Sequence, residues 1–345
     1  MKFENRFYIT MYLVLLTSCM VLFSSCYDNS DRLSVVELEP NVMIEEFGDS
    51  TYFRGISYIV VDDFIYAADE DNGRINKLDS KLNLVGIIGR RGQGPHDFAG
   101  LGCFIVYKDT ILAVNLGGLS LNAYTIDGDF IEKYTLGSDY SLTANNFCVD
   151  NEGYMYFTSR IDSFPIIKFD RQMNRQFSFG NWIEPENKEF RPFLNSCLIA
   201  CLDDKIITIQ KDAPVINVYG KDGTHLLKKN LPEELFKKRL LFKKREQEKD
   251  ASNLRKTYGL FGSVSTVDNK IYLTYVDHDE QDIPYKNKVV EILFENNDFI
   301  INRVFSLSKE KSGWFEAIAV TNDNRIVVSN ASIQENPSIS VYLLK

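Results

Sequence analysis

Residues 58–88 have the sequence YIVVDDFIYAADEDNGRINKLDSKLNLVGII, and this stretch decides the fold. An apolar segment is followed by a polar turn at Asp62–Asp63 and then by a second segment of aromatic and β-branched residues. Further along, Ile75–Leu78 turns through Asp79–Lys81 into Leu84–Ile88. Apolar runs of this composition, separated by turns rich in Asp, Asn and Gly, are typical of β-hairpins. The stretch therefore predicts a small antiparallel sheet of four strands.

The first hairpin of this pattern recurs along the whole chain. Its turn and second strand are found at Asp62–Ala67, Lys108–Ala113, Asn151–Tyr156, Asp203–Thr208, Asp268–Leu273 and Asn322–Val327. A second hairpin follows in each of the first five copies. Repeats of about 40 to 45 residues with four strands each are typical of propeller blades. The sequence thus predicts an all-β protein, a six-bladed β-propeller, with an array of β-sandwiches as the alternative.

The sixth copy lacks its last strand. Ser338–Leu343 is its predicted third strand, and no fourth strand follows. An apolar segment near the other end of the chain, Leu33–Leu38, can supply the missing strand. Pairing it there would cover an otherwise open sheet edge. We therefore expect an N-terminal strand to close the last blade.

The N-terminus has the pattern of an export signal. Lys2 and Arg6 precede an apolar run that ends in Phe23-Ser24-Ser25-Cys26, and a polar segment follows. A basic start, an apolar stretch and small residues before the cleavage site are typical of secretory signals. The small residues before Cys26 resemble a bacterial lipobox, so Cys26 is the predicted lipidation site. Cys19 is a second candidate, but more apolar sequence follows it.

These patterns divide the chain into three parts. Residues 1–25 are the predicted lipoprotein signal peptide, 26–32 a tether, and 33–345 the propeller, with a helical insertion at 232–258 between blades four and five. An uncleaved membrane anchor and a cleaved signal without lipid are the alternatives for the N-terminus.

The joint between the first two repeats resembles a known family. Gly89–Phe98, GRRGQGPHDF, looks like the inter-blade signature of NHL-like six-bladed propellers. Together with the lipobox, it makes the chain similar to the TolB-like propeller lipoproteins of Bacteroidetes. The resemblance covers almost the whole mature chain and implies an outer membrane lipoprotein on the periplasmic or cell-surface side. The other five joints depart from the signature, so it implies fold and lineage and no particular activity.

The same glycine-rich joint does not match a nucleotide site. A P-loop needs Lys and Ser or Thr after its last glycine, where Pro95 and His96 stand. A dinucleotide site needs a third glycine within a βαβ unit. Positive φ angles and close backbone approach explain such glycines more simply. As a ligand-binding hypothesis, Arg90, Arg91 and His96 line a mouth of the ring and contact an anionic group.

Composition and motifs exclude several function classes. The net charge of −9 argues against nucleic-acid partners, because an acidic protein repels phosphate backbones. The three histidines have no metal-ligand spacing, and the GxSxG motif of hydrolases is absent. Among 48 acidic residues, the sequence cannot select a catalytic pair, since separation in space decides. No catalytic or metal-binding residue is therefore assigned, and the cofactor is left open.

Two further features, the cysteines and one acidic stretch, allow structural predictions. Cys103, Cys148, Cys197 and Cys201 are expected to be buried thiols, with one disulfide as the alternative in an oxidising compartment. His278 lies in the acidic stretch Asp277–Asp282, which is expected to be a solvated loop, with a cation site as the alternative.

The insertion at 232–258 begins with acidic residues and continues with basic ones, which favours a helix. Leu231, Leu235 and Phe242, with Leu240 or Leu241, form an apolar stripe at helical spacing. We expect a helix lying across one face of the propeller with a solvated basic side. The functional alternative is a lid or a docking helix for a partner or an acidic glycan.

Fold alone does not give function. The tether, the closed scaffold and the lack of a catalytic motif favour a non-enzymatic binding or scaffolding lipoprotein for a protein or glycan, attached to the membrane by its lipid. The alternative is a propeller hydrolase or lyase with a metal or polar site at the central channel.

Overall fold

The computed structural model describes residues 34–46, 55–136, 142–159, 162–182, 195–249, 259–307, 313–330 and 337–344. From Val35 onward the chain forms one compact unit of six small β-sheets. The first strand of each sheet contacts the first strand of the next, and the sixth sheet contacts the first, so the sheets close a ring. The predicted six-bladed β-propeller is confirmed. The signal peptide, the tether and Cys26 lie outside the described residues.

Within each blade, consecutive strands pair antiparallel and follow chain order from the centre outward, and two N-terminal strands add to the outer edges of blades five and six. Blade one contains β3 (Ile56–Val61), β4 (Ile65–Asp69), β5 (Arg74–Leu78) and β6 (Leu84–Ile88); blade two contains β7 (Leu101–Tyr107), β8 (Thr110–Asn115), β9 (Ser120–Thr125) and β10 (Phe130–Thr135); blade three contains β11 (Leu142–Val149), β12 (Met155–Ser159), β13 (Ile166–Phe169) and β14 (Arg175–Phe179). Blade four contains β15 (Cys197–Leu202), β16 (Lys205–Gln210), β17 (Val215–Gly220) and β18 (His225–Asn230); blade five contains β19 (Phe261–Val267), β20 (Lys270–His278), β21 (Pro284–Glu295) and β22 (Asp298–Ser306); blade six contains β23 (Phe315–Val320), β24 (Arg325–Asn330) and β25 (Ser338–Leu343). Two short strands, β1 (Val35–Glu37) and β2 (Val42–Ile44), precede blade one.

An N-terminal strand closes blade six as expected, but it is not the segment that the sequence suggested. β2 pairs antiparallel with β25 and is the fourth strand of this blade. The expected segment Leu33–Leu38 instead supplies β1, which pairs parallel with the outer strand β22 of blade five. Leu38 donates its N–H to Ser306 and buries its side chain in the core between blades five and six. The N-terminal segment therefore joins two blades.

The core consists of apolar layers between neighbouring blades. Along β23, Ala317 and Ala319 pack towards blade one, whereas Ile318 and Val320 pack towards blade five. This alternation follows from the two-residue period of a strand, which places successive side chains on opposite faces. The inner strands of the ring therefore present a backbone edge to the central channel.

A disulfide joins blades three and four. Cys148 on β11 and Cys201 on β15 are bonded, with Cα atoms 5.7 Å apart, so the expectation of buried thiols was wrong for these two. Cys103 and Cys197 are buried and take no part in this bond. Cys103 packs between blades two and three and Cys148 between blades three and four. The alternation of side chains therefore separates Cys103 from Cys148, whereas position along β15 separates Cys197 from Cys201.

The described part of the insertion consists of a short 3₁₀ turn, Glu233–Phe236, and one α-helix, α1 (Lys237–Lys249). A second 3₁₀ turn lies at Leu116–Gly118. Across the residues that the structure describes, no helix combines the length and apolar character needed to cross a membrane.

Candidate functional site

The two ends of the ring are built differently. Because strands alternate in direction within a blade, second-to-third connections and inter-blade connections share one end, which we call the upper end. Connections that are described in full at this end are 70–73, 89–100, 116–119, 211–214 and 279–283. The segment that contains α1 also starts here. The opposite, lower end carries the hairpin turns between first and second and between third and fourth strands.

Several turns at the lower end satisfy a carboxylate locally, although Lys221 also bonds across to Glu152 of the neighbouring blade there. The Asp79 carboxylate accepts hydrogen bonds from the backbone N–H groups of Lys81 and Asn83. The Asp170 carboxylate does the same for the residues two and four positions later. Such turns are closed local structures. The upper end, with its longer connections, is therefore the more plausible place for a binding site.

The three predicted ligand residues lie on the connection 89–100, which runs from the outer strand of blade one to the inner strand of blade two. The side chain of Arg90 is 82% exposed, and its Nε donates to the Asp97 carboxylate at 2.7 Å. Arg91 donates from Nη1 to the backbone oxygen of Asp71 at 2.7 Å. His96 is exposed, and its ring stacks on an aromatic ring of β10 with centroids 3.9 Å apart. Binding of a ligand by these residues stays a prediction.

Close packing explains the glycines of this connection. Gly89 has a φ of +70°, and a Cβ there would overlap the buried ring of Phe98. Gly94 donates its N–H to the Asp97 carboxylate at 2.9 Å, and a Cβ at Gly94 would lie 2.7 Å from that carboxylate. The hydrogen bonds from Arg90 and from the Gly94 N–H lower the pKa of Asp97. The connection is thus wrapped around one ionised carboxylate.

A second polar group at the upper end was not foreseen from the sequence. It consists of Lys286, Trp314 and Glu316, which we call the mouth cluster. Lys286 Nζ lies 3.1 Å from Glu316 Oε2, and Trp314 Nε1 donates to Glu316 Oε1 at 2.5 Å. The ammonium also lies 4.8 Å from the centre of the indole ring. Glu316 is the second residue of the inner strand β23, so its carboxylate lies at the upper end beside the channel, whereas Trp314 pairs with Lys286 at the start of the third strand of blade five.

The two charges of the mouth cluster differ in exposure. The Lys286 side chain is 6% exposed, whereas that of Glu316 is 40% exposed. Burial lowers the pKa of Lys286, and the neighbouring carboxylate opposes this shift. The cluster therefore exposes a carboxylate at the upper end and keeps its ammonium buried.

Lys286 reaches this position because the inner strand of blade five leaves room for it. It starts on the third strand, β21, and passes beside Gly262 on β19. A Cβ at Gly262 would lie 2.7 Å from Lys286 Cδ and 3.0 Å from its Nζ. The pairing of β19 with β20 also shifts register between Phe261 and Val264. In the sequence, the only features that point to this cluster are Lys286 ahead of an apolar run and Gly262 inside a predicted inner strand.

His278 lies at the upper end of β20, and the expectation of a solvated loop was wrong for it. Its side chain is fully buried, with Nε2 3.0 Å from Arg239 Nη1 on α1 and Nδ1 3.0 Å from the backbone oxygen of Asp282. Because arginine only donates, Nε2 accepts and Nδ1 carries the proton. Burial lowers the pKa of His278, and the Arg239 charge lowers it further. The neutral ring therefore holds α1 on the propeller.

The predicted apolar stripe is present, since Leu231 is buried and Leu235, Leu240 and Phe242 are partly buried, but polar contacts accompany it. Phe236, just before the helix, packs edge-on against two aromatic rings of blade five, and Arg239 is buried beside His278. Leu241, a candidate for the stripe, is 51% exposed. Lys243 pairs with the Asp212 carboxylate at 3.1 Å. Phe242 also packs on the ring of His278 with centroids 4.4 Å apart, so aromatic and polar contacts together attach the helix to the upper end.

Within the described ranges, no three His, Cys, Asp or Glu side chains converge as a metal-binding set.

Comparisons with known proteins extend only to the fold. No protein-family model and no curated protein matches the chain. Among solved structures, it is similar to a Bacteroides fragilis protein whose name describes it as exported (12% identity, 90% of this chain and 100% of that chain, TM-score 0.55). It is also similar to a DUF4221 family member from Bacteroides vulgatus (11%, 91% and 99%, 0.53) and to virginiamycin B lyase from Staphylococcus aureus (10%, 88% and 99%, 0.52).

Proposed function

We propose that this chain is a cell-envelope lipoprotein whose propeller binds a protein or glycan ligand at its upper end without catalysing a reaction. The mouth cluster is the observation that carries this proposal. A buried ion pair often contributes no more to stability than apolar residues of similar volume would. Perturbed charges of this kind gather at functional sites. Their position at the upper end supports a binding role.

Export and lipid attachment form the second part of the proposal. The Cys148–Cys201 disulfide supports it, because disulfides persist in oxidising compartments such as the periplasm and the cell surface. Cys26 would carry the lipid and hold the protein in the outer membrane. Replacing Cys26 with Ala should release the protein into the aqueous phase of a detergent partition, whereas Cys19→Ala should leave it in the detergent phase. Equal partitioning of both variants would contradict lipidation at Cys26.

A direct binding assay tests the main proposal. The full mature chain with Cys26→Ser, secreted into the periplasm so that its disulfide forms, is titrated by calorimetry with outer-membrane polysaccharide and with a surface-protein fraction. We expect saturable binding to one of them, weakened by changes in the mouth cluster. Arg90, Arg91 and His96 are proposed to add contacts to anionic groups of the ligand. Replacing Arg90 with Ala should then reduce the dependence of binding on salt. Binding to neither fraction would contradict the proposal.

A propeller hydrolase or lyase is the second candidate, and the same cluster is the observation that favours it. Burial lowers the pKa of Lys286 beside a carboxylate, and such a pair can exchange protons with a substrate. Mass spectrometry of the bound ligand after long incubation separates the two candidates. Cleavage that is lost in Glu316→Gln would favour the enzyme, whereas an intact ligand would favour the binding protein.

A further inference from the structure

We propose that the mouth cluster is a subsite for a neutral, hydroxyl-rich ligand, namely a pyranose unit of a glycan. In this site Glu316 accepts hydrogen bonds from sugar hydroxyls, and the indole of Trp314 packs against the sugar ring. The inference rests on the proposed binding function and names the class of ligand.

The carboxylate of Glu316 is held in place while part of it stays accessible. Among the residues that the structure describes, each of its oxygens accepts one hydrogen bond, one from Lys286 and one from Trp314. A carboxylate offers roughly four acceptor positions, so these two bonds leave others unused. With the side chain 40% exposed, the unused positions are available at the upper end. A fixed acceptor of this kind binds a hydroxyl donor without first losing its own conformational freedom.

Charge balance selects a neutral ligand. The ammonium of Lys286 lies 3.1 Å behind the carboxylate and neutralises it. An anionic ligand would meet the exposed carboxylate of Glu316, and a cationic ligand would gain little from a carboxylate that is already paired. Sugar hydroxyls donate hydrogen bonds without bringing a charge.

The indole of Trp314 supplies the apolar part of the site. It is half-buried, and the Lys286 ammonium lies 4.8 Å from its centre. Its N–H is used by Glu316, so the ring is fixed in orientation. Aromatic side chains combine a large apolar surface with a polar atom, which suits a ligand with both C–H and O–H groups.

Stability alone does not account for this arrangement. Apolar residues of similar volume often stabilise a protein as well as a buried ion pair does, so the stability of the blade does not require a buried ammonium here. Lys286 also requires Gly262, because a Cβ there would lie 2.7 Å from its Cδ. A glycine inside a strand weakens the strand. The buried ammonium of Lys286 and the glycine at position 262 are each unfavourable for stability, and together they position the exposed carboxylate of Glu316.

Fluorescence can test the site because the chain has only two tryptophans, Trp182 and Trp314. In the secreted mature chain, Trp182→Phe leaves Trp314 as the only indole. The probes are methyl glycosides of glucose, galactose, mannose, fucose and N-acetylglucosamine, with glucosamine and glucuronate as charged counterparts. We expect a saturable change with at least one neutral glycoside and weaker binding of the charged sugars. Glu316→Gln should weaken binding at least about tenfold, since hydrogen bonds to charged groups are the stronger ones.

The control is Glu132→Gln, on the outer strand of blade two, which should bind as the parent does. Thermal melts verify that each variant is folded. Trp314→Phe is a second variant of the site, and its binding is measured by calorimetry because it lacks the indole that reports binding. Unchanged affinity in Glu316→Gln, or tighter binding of a charged sugar, would overturn the proposal. If no glycoside alters the fluorescence while the protein still binds polysaccharide or surface protein, the subsite is wrong and the binding function stands. If nothing binds, both are wrong.

Discussion

The disulfide between blades three and four gives a quantitative prediction about stability. The double variant Cys148→Ala/Cys201→Ala removes a covalent link between residues 53 positions apart. In the chain-entropy model, a loop of this length lowers the entropy of the unfolded chain by about 14 cal/mol/K, or about 4 kcal/mol at 25 °C. Unfolding entropy is about 2.1 cal/mol/K per residue, so a propeller of roughly 300 residues should lose about 6 °C in Tm.

The assay is a thermal melt of the secreted mature chain with Cys26→Ser, with and without a reductant. The parent should lose about 6 °C on reduction, and the double variant should melt at the same temperature in both conditions. Cys103→Ala, which removes a buried thiol outside the bond, should keep the response to reductant and lose only about 1 kcal/mol from packing. Thiol titration of the denatured, unreduced parent should find two thiols. Four thiols in the titration, or a Tm of the parent that does not change with the reductant, would refute the reasoning.

Three further predictions concern the N-terminal segment, the glycine-rich connection and α1. Leu38→Ala should lower the free energy of unfolding in urea by about 2 to 4 kcal/mol, because this side chain is buried between two blades. The control Val35→Ala, at an exposed side chain, should change the free energy of unfolding by less than about 0.5 kcal/mol. Gly89→Ala should lower the free energy of unfolding by about 2 to 4 kcal/mol, because the residue has a positive φ and its Cβ would overlap a buried ring. Gly86→Ala, whose Cβ would lie 3.6 Å from the nearest atom, should be nearly neutral. Equal effects of the two substitutions would contradict the close-packing account. Burial lowers the pKa of His278 in the folded state, so its stabilising effect is present above the unfolded value of about 6.5 and is lost as the pH falls through the folded pKa. The protection factor for hydrogen exchange in α1, which corrects for the intrinsic exchange rate, should therefore fall on acidification, and the same fall in His278→Gln would count against this role.

Local patterns were enough to predict the strands but not all of their partners. The repeated turns and apolar runs located the hairpins, because hairpin pairing is decided within a few residues. Near the N-terminus there are two short segments with β-branched residues, Val35–Glu37 and Val42–Ile44. Either could pair with the open edge of blade six by composition. The choice was made by burial of Leu38 between blades five and six, a contact with residues more than 200 positions away.

The mouth cluster and the environment of His278 were missed for the same reason. Lys286 and Glu316 lie on different blades, and Arg239 reaches His278 from a helix 39 positions away. An acidic stretch around a histidine favours a solvated loop until a distant helix covers it. Pairings of this kind depend on tertiary placement, which periodicity does not encode.

The two ends of the ring differ in the length of their connections and in the exposure of their charges, and this difference favours the upper end as the functional one. At the lower end, carboxylates such as Asp79 bond to the backbone of their own turn, and Lys221 pairs with Glu152 of the neighbouring blade. Long-range polar contacts therefore occur at both ends and do not by themselves indicate a binding site. At the upper end, the ammonium of Lys286 is buried while its partner Glu316 stays 40% exposed. A carboxylate that is held in place and still accessible can accept a hydrogen bond from a ligand, so this exposed acceptor, rather than the sequence range of its contacts, favours the upper end.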